Sequence, residues 1–182
     1  MTPKGPVTRV NRWLLRKGVL GGLAVAAVLC IAMFQLPWSP AASAHFIAFA
    51  GAPPFDERPA GYTLSGVLLA FHRLGAQGLF DYEAYRAVDI MFPWMLCGMV
   101  AAVMLRLDAA RATMWPWLAA IADTVENVLQ YAILATRDDL SPELVQWASA
   151  ATQLKFALYA LMLLMFLAIG ARALWRQRRA AR

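Results

Sequence analysis

Apolar residues are concentrated in four long stretches of the chain, and shorter stretches between them carry most of the charges. The apolar stretches cover roughly residues 18–38, 88–105, 114–135 and 147–171. A helix needs about 20 mainly apolar residues to cross the ~30 Å hydrocarbon core of a bilayer. Because helices satisfy their own backbone hydrogen bonds in lipid, the pattern predicts an all-α fold. We expect a polytopic membrane four-helix bundle that forms a single integral membrane domain over residues 1–182.

The longest connection, residues 39–87, contains a further helical pattern. Its first part is rich in Pro, Ala and Gly, which predicts irregular structure. Four apolar residues then recur at helical spacing: Leu64, Leu68, Phe71 and Leu74. This spacing predicts a short extracytoplasmic interfacial helix between spans 1 and 2, which Gly75 or Gly78 can end.

Three local signals refine the ends of the spans. Asp81 suits the N-cap of a helix that runs into the second span. Pro93 removes a backbone donor, so we expect it to kink or loosen the helix near its position. Ser141 followed by Pro142 predicts the start of the fourth helix, with a cap and then a proline in the first turn.

The composition supports a membrane protein, since 61% of the residues are hydrophobic and only 15% are charged. The net charge of +6 could indicate nucleic-acid binding, so the position of the basic residues decides. Twelve of them flank the spans on one predicted side: Lys4, Arg9, Arg12, Arg16, Lys17, Arg106, Arg111, Arg172, Arg176, Arg178, Arg179 and Arg182.

The two connections on the other side hold four basic residues, Arg58, Arg73, Arg86 and Arg137, beside seven acidic ones. By the positive-inside rule, this asymmetry predicts that both termini are cytoplasmic. We therefore expect a multi-pass protein of the bacterial cytoplasmic (inner) membrane, whose partner is the lipid bilayer and not nucleic acid.

The first span has an alternative interpretation. Its basic start, its apolar centre and the triplet Ala42-Ser43-Ala44 are also typical of a cleavable signal peptide. The apolar run is long for such a signal and ends well before the triplet, which favours retention as a membrane anchor. Cleavage would leave three spans with the same orientation. Cys30 and Cys97 both fall in predicted spans, where we expect small packing residues.

Polar residues inside the third and fourth stretches form two helical stripes. Asp123, Glu126, Asn127 and Gln130 are spaced i, i+3, i+4 and i+7 on the third. Thr152, Lys155 and Tyr159 are spaced i, i+3 and i+7 on the fourth. Asp89 stands near the outer mouth of the second. The two stripes and Asp89 are expected to meet in the outer half of the bundle.

The energetic cost of these residues indicates that they meet. An ionisable residue at mid-span costs about 2.5 to 3.5 kcal/mol, so Asp123, Glu126 and Lys155 together would cost about 7 to 10 kcal/mol if unpaired. The carboxylates of Asp89, Asp123 and Glu126 also outnumber Lys155. At least one of them should hold a proton near neutral pH, unless a cation enters.

A shared proton is the basis of general acid–base catalysis and of proton-linked transport. We predict a buried site open to the extracytoplasmic side that binds or processes a lipid-soluble or small substrate, a lipid or small hydrophobic ligand among them. Its catalytic residues would be Glu126, Asp123 and Lys155. Its substrate-binding residues would be Asp89, Asn127, Gln130, Thr152 and Tyr159.

Two alternatives remain open, and the sequence does not decide whether the protein is an enzyme. The polar residues could simply hold helices together in a non-catalytic membrane partner or assembly protein, including a homo-oligomer. They could also serve a proton-linked small carrier. No cofactor is predicted. No metal site is predicted either, because the cluster offers only carboxylates, while His45 and His72 lie outside the spans.

Three segments, "LGAQGLFDYEAYRAVDIMFPW", "ADTVEN" and "TQLKFALY", together resemble a pattern in small, uncharacterised four-span bacterial membrane proteins. In that pattern an Asp precedes a Phe-Pro pair, an Asp-x-x-Glu-Asn motif lies in the next span, and a Lys follows in the last. The resemblance covers roughly residues 61–159. It implies no particular activity, but it favours treating Asp89, Asp123, Glu126, Asn127 and Lys155 as one set.

Overall fold

The computed structural model describes residues 9–181, the side chain of Arg9 excepted, and this part of the chain is helical with no strand. Lys4 and Arg182, two of the basic residues counted above, lie outside it. The helices are α1 (Arg9–Leu14), α2 (Lys17–Gln35), α3 (Ser43–Ala50), α4 (Leu64–Asp89), α5 (Phe92–Arg106), α6 (Met114–Ala135) and α7 (Pro142–Ala180). Two short 3-10 helices lie at Phe55–Glu57 and Ala110–Thr113. The all-α class is confirmed for the described residues.

Within residues 9–181, four helical segments are long and apolar enough to cross a membrane. They are Lys17–Gln35, Leu64–Arg106, Ala110–Ala135 and Pro142–Ala180. Each contains one of the four predicted apolar stretches or most of it. Helix α2 buries only Ala27 within the chain, and its exposed residues include Val25, Val28 and Leu29, an apolar surface suited to lipid.

The connection between the first two spans is more helical than the sequence suggested. The expectation of irregular structure after residue 39 was wrong in part, because Ser43–Ala50 form α3, which ends at Gly51 with a left-handed φ of 74°. The predicted interfacial helix is the first part of α4 and begins where the hydroxyl of Thr63 accepts from Gly66 N at 3.2 Å.

Helix α4 bends at Gly75, whose φ of 60° and ψ of −171° are not helical. The interfacial helix was predicted to end at Gly75 or Gly78. In the structure the regular helix is broken by a kink at Gly75, and a second helical segment follows it. The prediction that Asp81 caps a new helix was wrong, because the chain becomes helical again directly after Gly75. Asp81 lies inside α4, where its Oδ1 accepts from Gln77 Nε2 at 2.9 Å.

Proline positions follow the predictions more closely. The helix is interrupted at Ile90 and Met91, just before Pro93 in the first turn of α5. Pro93 has no N–H to bond the carbonyl four residues earlier, that of Asp89, which explains the break. Helix α7 begins with Pro142, and Ser141 Oγ accepts from Leu144 N at 3.1 Å, as a cap should.

The contacts between helices define the arrangement of the chain and its two ends. Helix α6 packs along α7, α3 packs on α4, and α5 packs on both α2 and α6. Arg106 at the end of α5 donates to the carbonyls of Leu14, Leu15 and Arg16, so the start of α2 lies beside the end of α5. We call this the arginine end. At the opposite end, an aromatic core includes Phe46, Phe55 and Tyr82.

Both cysteines are free thiols. Cys97 is buried with Ala119, Ala120 and Met162 between α5, α6 and α7. Cys30 is half-buried on α2. The expected packing role fits the surroundings of Cys97.

Candidate functional site

Glu126 and Lys155 form a closed ion pair between α6 and α7. Glu126 Oε2 lies 2.9 Å from Lys155 Nζ, and the two residues are 0% and 5% exposed. The other carboxylate oxygen, Oε1, accepts from Thr152 Oγ1 at 2.7 Å and from Gln130 Nε2 at 2.5 Å. Both oxygens of Glu126 are therefore bonded, and the predicted stripes of α6 and α7 face each other.

Asp123 lies one turn away on the same stripe and has a different environment. Its Oδ1 accepts from Asn127 Nδ2 and its Oδ2 from the hydroxyl of Tyr159, each at 2.9 Å. Neither donor carries a charge. Asp123 is 3% exposed, so this carboxylate is buried without a cation bonded to it.

Arg86 lies on α4 and is a central residue of the cluster. From the sequence it was expected in the extracytoplasmic connection. It is 1% exposed. Its Nη1 donates to Asp89 Oδ2 at 3.0 Å and lies 3.4 Å from Asp56 Oδ1. Its Nη2 donates to Asn127 Oδ1, which links α4 to the α6 stripe. Tyr82, Arg86 and Asp89 are spaced i, i+4 and i+7, a polar stripe that could have revealed Arg86.

Asp56, also missed, reaches the cluster from an irregular segment. We call residues 51–63 the strap, since they run from the end of α3 to the start of α4. Phe55 and Asp56 are buried at 0% and 4% exposure, whereas Glu57 is exposed. The strap is fixed to α7, because Tyr62 N donates to Ser149 Oγ at 2.9 Å and Gln153 Nε2 donates to Ala60 O at 3.2 Å.

Tyr85 connects the strap with the buried ions. Its hydroxyl lies 2.7 Å from Asp56 Oδ2 and 3.0 Å from Glu57 Oε1. Glu57 as a whole is exposed, but its carboxyl lies against Tyr85. Partial removal of this carboxyl from solvent, together with the neighbouring Asp56 carboxylate, raises the pKa of Glu57. Burial also raises the pKa of Tyr62, at the end of the strap, to about 12. Tyr62 is therefore a neutral hydroxyl at physiological pH.

Three buried polar atoms around the cluster have no hydrogen-bond partner among the described residues. They are Asp56 Oδ1, Arg86 Nε and the hydroxyl oxygen of Tyr62. Buried polar atoms are normally bonded, so these three are exceptions, although Asp56 Oδ1 lies 3.4 Å from Arg86 Nη1.

The buried charges of the cluster do not balance. Four carboxylates, those of Asp56, Asp89, Asp123 and Glu126, stand against two cations, Arg86 and Lys155. All six residues are at most 6% exposed. A buried surplus of two negative charges is costly, so protons or an external cation must reduce it.

Asp89, Asp123 and Glu126 are the described residues that could hold a metal ion. One carboxylate oxygen from each lies within 4.8 Å of the others. Asp89 and Glu126 are already paired with Arg86 and Lys155, however, and both oxygens of Asp123 accept hydrogen bonds. The absence of a metal site stays a prediction.

The two histidines, which the sequence excluded as metal ligands, lie away from the polar stripes of α6 and α7. His45 is on α3, where its Nδ1 lies 3.3 Å from Asp81 Oδ2 and its Nε2 contacts Pro37 O at 2.8 Å. His72 lies on α4 before the Gly75 kink.

Fold and site together define a class: an all-α protein with four helices able to cross a membrane and an ionic cluster buried between three of its helices and a strap. No family model matches the chain, and neither a curated protein nor a solved structure matches it.

Proposed function

We propose that the protein is a four-helix bundle of a bacterial cytoplasmic membrane, with both termini in the cytoplasm and the strap on the extracytoplasmic side. Arg16, Lys17 and Arg106 gather at the arginine end, and Asp56 and Glu57 lie at the other. This separation of charge supports the orientation by the positive-inside rule.

The buried cluster is the working site in this proposal. It binds a lipid-soluble or small substrate and exchanges a proton with it by general acid–base chemistry. The observation that carries the proposal is the surplus of buried carboxylates over cations. A group that must hold a proton in order to stay buried is also a group that can give that proton to a bound substrate.

Asp123 is the residue best placed to exchange the proton. Glu126 is bonded to Lys155, while Asp56 and Asp89 lie beside Arg86. Among the described residues, the donors to the Asp123 carboxylate are Asn127 and Tyr159. A tyrosine hydroxyl can donate or accept, so the Tyr159 contact survives in both protonation states of Asp123. Lys155, which lies beside Glu126, would also anchor a negatively charged group of the substrate.

Proton-linked carriage of a small solute is a second use of the same chemistry. It needs the substrate to leave on the opposite side, and the strap that covers the cluster would then act as the outer gate.

A structural role is the competing proposal, and one observation favours it. The Glu126 carboxylate uses both oxygens within the protein, to Lys155, Thr152 and Gln130. Such a closed set can hold helices together in a non-catalytic membrane partner or in a homo-oligomer.

Infrared difference spectroscopy between acidic and alkaline pH distinguishes the two proposals. For purified protein in lipid nanodiscs, we expect a protonated carboxyl band that disappears in Asp123→Asn. Asp139→Asn changes an exposed carboxyl in the turn after α6 and should keep the band. If the wild-type protein shows no band that depends on Asp123, while the variant folds, the structural role is favoured.

The substrate can be sought with the same protein. Mass spectrometry of lipids and metabolites that copurify should find a species retained by the wild type and released by the folded double variant Glu126→Gln with Lys155→Met, which removes the cation without leaving Glu126 unpaired. A cargo that is identical in both proteins would argue against the cluster as its binding site.

A further inference from the structure

A second candidate site lies at the arginine end, where Arg172 is about 25 Å along the axis of α7 from Lys155. The turn after α5 and the last turns of α7 enclose an open groove of about 540 Å³. Its polar wall is formed by Arg106, Asp108, Arg172 and Arg176, and its apolar wall includes Leu107 and Ile169. This groove is independent of the acid–base proposal.

The charge of the groove favours an anion. Three guanidinium groups face one carboxylate, which leaves a net charge of about +2 along the lining. Arg106 already donates to Ala102 O at 2.9 Å and to Leu14 O at 3.1 Å, so it forms a fixed wall. Arg172 and Arg176 are exposed, and neither forms an ion pair within the described residues. Their i, i+4 spacing puts both on one face of α7.

The depth of the groove matches the boundary between hydrocarbon and headgroups. Arg106 is the first charged residue after the apolar run of α5. Arg172 is the first charged residue of α7 after Lys155, and sixteen uncharged residues separate the two. Basic residues at such a boundary attract anionic lipid headgroups, and Arg matches the geometry of a phosphate group.

We propose that this groove binds the headgroup phosphate of an anionic phospholipid in the leaflet that contacts the arginine end. Arg172 and Arg176 bind the phosphate oxygens. Ile169 and Leu107 contact the glycerol backbone and the first methylene groups of the acyl chains. The lipid thereby joins the end of α5 to α7 on the membrane surface.

The test compares two pairs of charge-removing substitutions in the full-length protein. Arg172→Gln with Arg176→Gln removes the groove's free cations. Arg178→Gln with Arg179→Gln removes the same charge from the same helix outside the groove lining. Native mass spectrometry measures the retention of phosphatidylglycerol against phosphatidylcholine by each protein.

We expect the wild type and the Arg178/Arg179 variant to retain phosphatidylglycerol preferentially. The groove variant should lose roughly 10- to 30-fold in that preference, since each basic residue at the surface contributes about one kcal/mol. An equal loss in both variants would show a general effect of surface charge and would overturn the proposal. Competition by inorganic phosphate as effective as that by the lipid would overturn it too, in favour of a free-anion site.

Discussion

The hydroxyl of Tyr85 lies 2.7 Å from the Asp56 carboxylate, and this contact joins α4 to the part of the ionic cluster that the strap supplies. The same hydroxyl lies 3.0 Å from Glu57, which is exposed on the outer face of the strap. A tyrosine hydroxyl has a single proton to donate, so it cannot bond two ionised carboxylates equally well. Through this shared donor, the exposed Glu57 is connected to Asp56, a buried carboxylate of the cluster.

Glu57→Gln should remove a pH dependence of stability. The pKa of Glu57 in the folded protein is raised above its ordinary value of 4.5. Its protonated form therefore stabilises the fold fully below that value, and the contribution is lost as the pH rises through the raised pKa. Thermal unfolding in detergent at acidic and neutral pH measures the effect. The wild type should lose more stability over this interval than Glu57→Gln, whose amide imitates the protonated acid.

The matched control for this prediction is Glu83→Gln, which changes an exposed carboxyl of α4. It should keep the wild-type pH dependence. Identical pH profiles for the wild type and Glu57→Gln would show that Glu57 does not titrate in contact with Asp56.

Gly61→Ala should loosen the strap. Gly61 has a φ of 80°, and a Cβ atom at this position would collide with the side chains of Ser149 and Gln153. A residue with a Cβ pays about 1 to 2 kcal/mol for the left-handed conformation. Cleavage after Glu57 by a glutamate-specific protease should accelerate by roughly 5- to 30-fold if strap opening is faster than cleavage.

Gly66→Ala is the corresponding control, because its Cβ would meet only Thr63 Oγ1, at an ordinary 3.4 Å. Cleavage of the strap in Gly66→Ala should stay at the wild-type rate or fall, since alanine favours the helix. Unchanged cleavage in Gly61→Ala would mean that the strap does not depend on this close approach to α7.

The elements that the sequence predicted best are those set by periodicity and by the cost of charge in lipid. Four apolar stretches had to be helices long enough to span. Asp123, Glu126 and Lys155 could not face hydrocarbon, and the helical period put each on a definite stripe. The ion pair of Glu126 with Lys155 follows from these two constraints. The proline at position 93 added the break before α5, through its missing N–H.

Two residues of the site were beyond this reasoning for different physical reasons. Arg86 was counted in the extracytoplasmic connection because the apolar stretch begins only at residue 88, whereas the structure buries this last turn of α4 against Asp56 and Asn127. Asp56 has no periodic signal at all, since it lies in an irregular segment whose position depends on tertiary contacts with α7. Only the folded chain brings it within reach of Arg86.

Lys155→Met should destabilise the protein strongly, because it leaves the fully buried Glu126 without its cation. Removing one member of a buried ion pair costs about 3 to 5 kcal/mol. Unfolding of the purified protein by increasing amounts of a denaturing detergent gives the free energy of unfolding. The double variant Glu126→Gln with Lys155→Met should lose clearly less than the sum of the two single losses, since no uncompensated charge remains. Strict additivity would contradict a direct interaction between the two side chains.

Arg86→Met should lower the free energy of unfolding at least as much as Lys155→Met, because Arg86 contacts more than one buried partner. It lies beside Asp56 and Asp89 and donates to Asn127, so its loss leaves two buried carboxylates without a cation. We expect a loss of about 3 to 5 kcal/mol or more in the same unfolding measurement. Adding Asp89→Asn to Arg86→Met should restore part of it, because one of the two uncompensated charges is removed. Arg73→Met, at an exposed arginine on the same helix that donates to Ala50 O at 3.3 Å, should cost no more than about 1 kcal/mol. A cost for Arg86→Met as small as that for Arg73→Met would refute the buried position of Arg86 and, with it, the joining of α4, α6 and the strap in one ionic cluster.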